Sequence, residues 1–182
     1  MDKKQIEAAL TGASQGVARY ADIMDSVLKV NVALDKEFQR QFNGFYRIQR
    51  RPQSWYSSYY DLMQKSKSST IGFDQCVDRM FELTGRYEAS FASKLVATLN
   101  PELHVWDKYV LENTEHAAPS FTAKNRLTLV KDVYRLIGEW YVEFLASPDG
   151  ALCVRMFDEA YPKHKKFTAL KKVDFILWQI RR

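Results

Sequence analysis

One stretch of the chain, TGRYEASFASKLVATLNPELHVWDKYV at residues 84–110, carries side chains that can move protons or stabilise a developing positive charge. Asp107 follows the triplet HVW and precedes KYVLEN, which is the position of an N-cap carboxylate. Such a cap is held in one orientation, so capping is compatible with catalysis. We expect Asp107 to be the main catalytic group, while Glu88 is either an ordinary surface charge or a weak second acid. Lys94 is predicted either to contact a substrate, or to be an ion-pair partner or a charge on a helix surface.

A basic and aromatic block, FNGFYRIQRRPQSWYSSYY, occupies residues 42–60. Its arginines can contact phosphates, and its rings can stack on unpaired bases. We therefore expect a nucleic-acid surface and a base pocket, to which Trp106 is a further candidate. The alternative is that half of the aromatic rings face the core, that the arginines are solvated and that Trp106 is a core anchor. The residues concerned within the block are Arg47, Arg50, Arg51, Trp55 and Tyr59.

Further cations lie outside that block. The segment KHKKFTALKK, residues 163–172, contributes Lys171 and Lys172 as candidate phosphate contacts, and Arg86 is another candidate. The alternative for the lysine segment is a solvated helix entrance. The net charge of +5 and the pI of about 9.1 favour a polyanionic partner without identifying one. Nucleic acid is one candidate partner on this ground, and a protein partner is the alternative.

Several chemistries are disfavoured by what the sequence contains. The two cysteines are far apart and form no CxxC pattern, which predicts buried thiols rather than a disulfide scaffold. The three histidines have no metal-ligand spacing, so neither a metal site nor a cofactor is expected. No signal peptide or run of about 20 apolar residues occurs, which predicts a soluble cytoplasmic protein without a membrane partner.

The elements that position these residues are predicted to be helices, because apolar residues recur every three or four positions. The chain length suits one compact all-α domain, residues 1–182. Ser54 is expected to cap one helix, Gly85 to end the next, and Gly12 and Gly16 to weaken or break the N-terminal helix. Loops are expected at 64–72 and 113–125. Later helices are predicted at 86–99, 107–113, 124–146, 149–160 and 168–180.

The central region resembles the helix-hairpin-helix DNA glycosylases. HVWDKYV stands where that family carries its PVD motif, so Asp107 matches the family's aspartate. Gly85 suits the first glycine of the hairpin, and LKKVDFILWQI looks like the family's final helix. The resemblance covers roughly residues 73–113 and the C-terminal helix, and more loosely the segment FNGFYRIQRR.

The resemblance implies a multi-helix glycosylase fold and hydrolysis of an N-glycosidic bond after the nucleotide leaves the DNA helix. The chain departs from the family at two positions. Tyr87 replaces the second hairpin glycine, and Ala89 occupies the position where bifunctional members carry a Schiff-base lysine. These departures favour a monofunctional DNA-repair glycosylase or a relative without catalysis. The alternative function is therefore a non-catalytic helical module that binds nucleic acid or protein.

Overall fold

A computed structural model describes residues 1–69 and 71–181, and all regular elements in that part of the chain are helices. This confirms the all-α prediction. Besides a short 3₁₀ helix at Pro162–His164, the described residues form α1 Lys3–Ser26, α2 Lys36–Tyr46, α3 Gln53–Ser66, α4 Phe73–Thr84, α5 Ala89–Leu99, α6 Lys108–Asn113, α7 Arg126–Ala146, α8 Pro148–Ala160 and α9 Ala169–Leu177.

The chain divides into two compact units, and the boundary between them falls inside α1. The middle unit is Gly16–Asn100, and the terminal unit is Met1–Gln15 with the described part of Pro101–Arg182. The middle unit therefore contains α2 to α5, and the terminal unit contains α6 to α9. The expectation of one domain over residues 1–182 stays a prediction.

The middle unit has a core of aromatic and aliphatic side chains. Phe42, Tyr59, Met63, Val77 and Leu95 are fully buried in it. Apolar residues at helical spacing supply these contacts, because one face of each amphipathic helix turns inward. Burial of such side chains stabilises the unit by about 1.5–3 kcal/mol each.

Helices α4 and α5 form a hairpin with a short connection in the middle unit. Gly85 ends α4 in the left-handed region, with φ of 66°, and its N–H donates to the carbonyl of Phe81. Glycine adopts this conformation without a Cβ penalty. In the same connection the Tyr87 ring stacks on Phe81 at 4.7 Å between ring centroids. The predicted helix end at Gly85 is confirmed.

The terminal unit is held together by α7, α8 and α9, with α6 packed against α9. Ile137, Phe157 and Phe175 are buried, and the Phe157 and Phe175 rings stack at 5.9 Å. The Thr168 hydroxyl caps α9 by accepting the Lys171 N–H, and it donates to the carbonyl of Pro101 at 2.9 Å. That contact joins the start of α9 to the segment that leads to Asp107.

Two predictions about the start or continuity of individual helices are wrong. Helix α1 runs through Gly12 and Gly16 without a break, because its buried stripe, including Ile6, Ala13 and Val17, outweighs the helix penalty of two glycines. The cap prediction for Ser54 is wrong, since α3 begins at Gln53.

The loops and later helices lie close to their predicted bounds. The first loop begins three residues later than expected because α3 continues to Ser66, and Thr70 within it lies outside the described residues. The second loop lies between α6 and α7 as predicted. Helix α2 had not been predicted.

Candidate functional site

Asp107 is the N-cap of α6, as predicted. Its backbone is extended, with φ of −133° and ψ of 155°, and its Oδ1 accepts the Tyr109 N–H at 2.9 Å. The side chain is half-buried. Among the described residues this is the one hydrogen bond to its carboxylate. One oxygen is thus fixed by the backbone, while the other has no partner within the described chain.

A set of polar side chains lies in the interior of the same unit. We call His104, Tyr134, Tyr141, Lys171 and Asp174 the buried polar cluster. The Tyr141 hydroxyl donates to Asp174 Oδ1 at 2.9 Å, and Lys171 Nζ donates to Asp174 Oδ2 at 2.6 Å. The side chains of Lys171 and Asp174 are each 1% exposed. Both oxygens of the buried carboxylate are therefore satisfied by donors.

The charge of Asp107 acts on this cluster. Burial, followed by the charge of Asp174, raises the pKa of Tyr141 well above its usual range, and Asp107 adds to the shift. Burial also raises the pKa of Asp174; Lys171 opposes this shift and Asp107 reinforces it. Asp107 and the cluster consequently form one electrostatic site, with a half-buried carboxylate on its accessible side.

His104 lies beside these groups in an unusually restricted position. Its ring stacks on Tyr134 at 3.9 Å and on Tyr141 at 5.6 Å between centroids, and its carbonyl accepts the Tyr134 hydroxyl at 3.0 Å. A Cβ added to Gly138 would lie 3.2 Å from His104 Cε1, so the glycine gives the ring room. The buried Nε2 has no hydrogen-bond partner within the described part of the chain.

We predict that His104 stays neutral down to about pH 5. Burial lowers its pKa from 6.5 to about 4, and the positive charge of Lys171 acts in the same direction. The unfolded chain takes up this proton near pH 6.5, so the contribution of His104 reduces stability as pH falls from about 6.5 towards 4. Ring carbon NMR shifts of the folded protein should show no titration above pH 5. A midpoint near 6.5 in the folded state would contradict this prediction, and the urea-unfolded chain provides the control.

The prediction that Lys171 and Lys172 contact phosphates is wrong, because both side chains are buried. Lys171 pairs with Asp174 in the interior, and Lys172, 5% exposed, pairs with Asp158 at 2.7 Å. Neither amine is accessible to a polyanion in solution, because most of the surface of α9 packs against neighbouring helices. The basic segment thus contributes to the interior of the terminal unit rather than to a DNA surface.

The predicted base pocket is also corrected. Trp55 and Tyr59 are buried and stack on each other, with 4.9 Å between centroids and 11° between planes. The Tyr59 hydroxyl donates to the carbonyl of Phe91 at 3.0 Å. No base fits between two rings in mutual contact, so this pair belongs to the core of the middle unit. Trp106 is 6% exposed in the terminal unit, which agrees with its alternative role as a core anchor.

Glu88, the candidate second acid, and Lys94, the candidate amine, are buried in the middle unit and bonded to other residues there. Glu88 is 7% exposed and pairs with Arg51 at 3.2 Å, while the Arg51 guanidinium lies 5.0 Å from the Phe91 ring centroid. Lys94 Nζ donates to the carbonyl of Tyr46 at 3.2 Å and lies 5.1 Å from the Phe91 centroid. Glu88 and Arg51 are therefore partners in a structural ion pair, and Lys94 is an interior amine rather than a surface charge.

The remaining predicted phosphate contacts, Arg47, Arg50 and Arg86, are exposed. Arg47 and Arg50 adopt positive φ values of 54° and 58°. This region costs a residue with a Cβ about 1–2 kcal/mol relative to right-handed backbone. The buried Ile48 lies between them and anchors the connection. The segment after α2 thus presents two guanidinium groups at strained positions.

The structure brings Asp107 together with groups that the sequence analysis had not selected. His104, Tyr134, Tyr141 and Asp174 were missed, although an Asp three residues after a Lys in the otherwise apolar helix LKKVDFIL is a signal for a buried ion pair. Glu88 and Lys94 belong to the middle unit and Asp107 to the terminal unit. The candidate site is accordingly Asp107 with the buried polar cluster.

No protein-family model matches this chain, and no curated protein or solved structure matches it. Within the described residues, no helix has the length and apolar character needed to cross a bilayer. Across the same part of the chain, no three His, Cys, Asp or Glu side chains converge to hold a metal ion.

Proposed function

We propose that this chain is a DNA-binding, glycosylase-like protein that hydrolyses the N-glycosidic bond of a damaged or modified base. Asp107 is its essential carboxylate. The observation that carries the proposal is the geometry of Asp107: half-buried, fixed through Oδ1 by the Tyr109 N–H, and with Oδ2 unpartnered among the described residues. A carboxylate held in this way retains an oxygen for a substrate or a water molecule.

The chemistry requires a fixed negative charge. As the bond between base and sugar breaks, positive charge develops on the sugar, and a preorganised carboxylate stabilises it electrostatically. The free oxygen of Asp107 also orients the attacking water and accepts its proton. The water oxygen bonds to the sugar carbon, and the base leaves with the bonding electron pair and takes up a proton.

The buried polar cluster supports this role through its electrostatic interaction with Asp107. The Lys171–Asp174 pair brings no net charge when ionised, and Tyr141, whose pKa is raised mainly by burial, stays protonated and donates to Asp174. Fixed dipoles of this kind need no reorganisation when charge develops nearby. The cluster therefore acts by holding α7 and α9 beside Asp107, not by transferring a proton to substrate.

Water, rather than a protein amine, is the nucleophile in this proposal. Ala89 occupies the position of the family's Schiff-base lysine, and Lys94 is 7% exposed and donates to the Tyr46 carbonyl. An amine engaged in this way is poorly placed to attack a sugar. The protein is thus proposed to be a monofunctional DNA-repair hydrolase that needs no cofactor.

The second candidate function is a non-catalytic helical module that binds nucleic acid or protein. The observation that favours it is the direct stacking of Trp55 on Tyr59, which removes the expected base sandwich. The exposed Arg47, Arg50 and Arg86 would serve such a module without any cleavage. A module that binds nucleic acid shares the prediction of DNA binding with the glycosylase proposal, a module that binds protein does not, and only the glycosylase proposal predicts release of a base.

Removal of the strained arginines is predicted to separate DNA binding from stability. Replacing Arg47 and Arg50 together by Gly eliminates two cations and the backbone cost of positive φ, so the free energy of unfolding should stay constant or rise by up to about 1 kcal/mol per site. The affinity for a fluorescein-labelled duplex should fall, and the slope of log affinity against log salt should decrease by about 2.

The charge-conserving variant Arg47→Lys with Arg50→Lys is the matched control, and it should keep the salt slope. Anisotropy titrations at several salt concentrations and urea unfolding supply the two measurements. A glycine variant that binds as tightly as wild type with the same slope would place the DNA contact elsewhere. A large loss of stability would contradict the strain argument.

The proposed activity is tested with duplex and single-stranded oligonucleotides that carry oxidised, alkylated or deaminated bases. Each is incubated with the wild-type protein and then treated with alkali, which breaks the strand wherever a base has been lost. Breakage of one substrate class supports the glycosylase proposal. Binding of all of these oligonucleotides without breakage of any would favour the non-catalytic module.

A further inference from the structure

An exposed arginine lies over the ring of Tyr109, the residue whose N–H is bound by the Asp107 cap. The Arg181 guanidinium carbon lies 3.5 Å from the ring centroid of Tyr109, and Arg181 also donates to the carbonyl of Trp178. Arg181 is exposed, and across the described chain no carboxylate forms an ion pair with it. A guanidinium that lies over a ring is partly immobilised, and Nη1 of Arg181 donates to the carbonyls of Trp178 and Ile180, so the N–H groups of Nε and Nη2 stay available to an oxyanion.

The position of Arg181 is set by a buried amide. Asn113, 5% exposed, donates from Nδ2 to the carbonyl of Tyr109 at 2.9 Å, within its own helix. The same nitrogen donates to Leu177 at 3.1 Å and to Ile180 at 3.2 Å. These bonds tie the chain after α9 to α6. Arg181 is consequently held over Tyr109 by the fold and not by solvent-exposed contacts alone.

Tyr109 connects this arginine to the candidate catalytic group. The Tyr109 N–H donates to Asp107 Oδ1. The Tyr109 ring contacts the Arg181 guanidinium, and its centroid lies 5.6 Å from Lys108 Nζ. Lys108 is 74% exposed and pairs with Glu112 at 3.5 Å, so part of its charge is already compensated. Arg181 is the better anion ligand of the two, because it is stacked and has no acidic partner in the described part of the chain.

We propose that Arg181, supported by Tyr109, binds a phosphate of the nucleic-acid strand on which Asp107 acts. The site takes a phosphodiester, and the guanidinium contributes two parallel N–H donors to its oxygens. Asn113 and Tyr109 are positioning residues for Arg181. This inference rests on the proposed function and deepens it, because it identifies the feature that places a strand beside the carboxylate.

The test compares Arg181→Ala with wild type on a fluorescein-labelled duplex that contains a single base-less sugar analogue. Loss of one phosphate contact should reduce the slope of log affinity against log salt by about 1. On an oligonucleotide from which wild type releases a base, Arg181→Ala should raise KM several-fold and leave kcat nearly unchanged. Arg135→Ala, which removes an exposed arginine paired with Glu139 on α7, is the matched control and should change neither quantity.

Substitutions at Tyr109 test the positioning role. Tyr109→Phe keeps the ring and should behave as wild type, whereas Tyr109→Leu removes the stacking face and should weaken binding as Arg181→Ala does. Both keep the backbone N–H that holds Asp107. Arg181→Ala with an unchanged salt slope and KM would overturn the inference, and release of base by that variant would leave the proposed function intact. Failure of wild type to bind the duplex would overturn both.

Discussion

Replacement of Lys171 by Met is expected to lower the free energy of unfolding by about 3–5 kcal/mol, although the variant keeps a side chain of similar length. The Lys171 and Asp174 side chains are each 1% exposed and lie 2.6 Å apart. Without the ammonium, a buried carboxylate loses its counter-charge and keeps Tyr141 as its donor. Urea unfolding followed by circular dichroism measures the loss.

A second substitution separates this effect from simple loss of packing. Adding Asp174→Asn to Lys171→Met removes the orphaned charge, so the double variant should recover much of the stability lost by the single one. Lys172→Met is the matched control, because its partner Asp158 is 29% exposed, against 1% for Asp174, and its side chain is therefore less desolvated. Equal losses in the Lys171 and Lys172 variants would contradict the account of a buried charge pair.

Replacement of Asp107 by Asn is predicted to have a large effect on base release and a small one on stability. Asn is also a good N-cap and can accept the Tyr109 N–H, so the free energy of unfolding should change by less than about 1 kcal/mol. The amide lacks the negative charge that stabilises the developing cation. Base release should therefore fall by about a hundred- to a thousand-fold.

Asp35→Asn is the matched control for this substitution. Asp35 caps α2 by accepting the N–H of Phe38, three residues on, at 2.8 Å, whereas Asp107 accepts the N–H two residues on, and Asp35 lies in the middle unit. It should leave both stability and activity close to wild type. An Asp107→Asn protein that releases base as fast as wild type would reduce Asp107 to a structural cap.

Helical periodicity predicted the helices because burial of one face is a local property of spacing. The positions of α5 to α9 and the caps at Gly85 and Asp107 follow from such local patterns. The continuity of α1 through Gly12 and Gly16 does not follow from local patterns, because tertiary packing determines it. Propensity alone underestimates a helix whose apolar stripe is buried.

Side-chain roles were harder to predict than helices, since a charge in the sequence does not reveal its burial. Arg51 and Glu88 read as separate surface groups and are partners. The sequence indicates that Lys171 belongs to a basic surface. In the structure it is buried and pairs with Asp174, three residues further along α9. The density of aromatic residues was likewise ambiguous. Trp55 and Tyr59 lie in the core, and the contact of the exposed Arg181 with the half-buried Tyr109 ring was not anticipated.

The role of Asp107 in base release is tested most directly by mass spectrometry of the free bases that wild type and Asp107→Asn release from DNA in parallel. Three DNA samples are treated with an alkylating, an oxidising and a deaminating reagent respectively and are then mixed. No particular lesion is therefore assumed. We expect wild type to release at least one modified base and the Asp107→Asn protein, folded and still bound to DNA, to release far less. Release of no base by wild type that binds this DNA, or equal release by both proteins, would contradict this expectation.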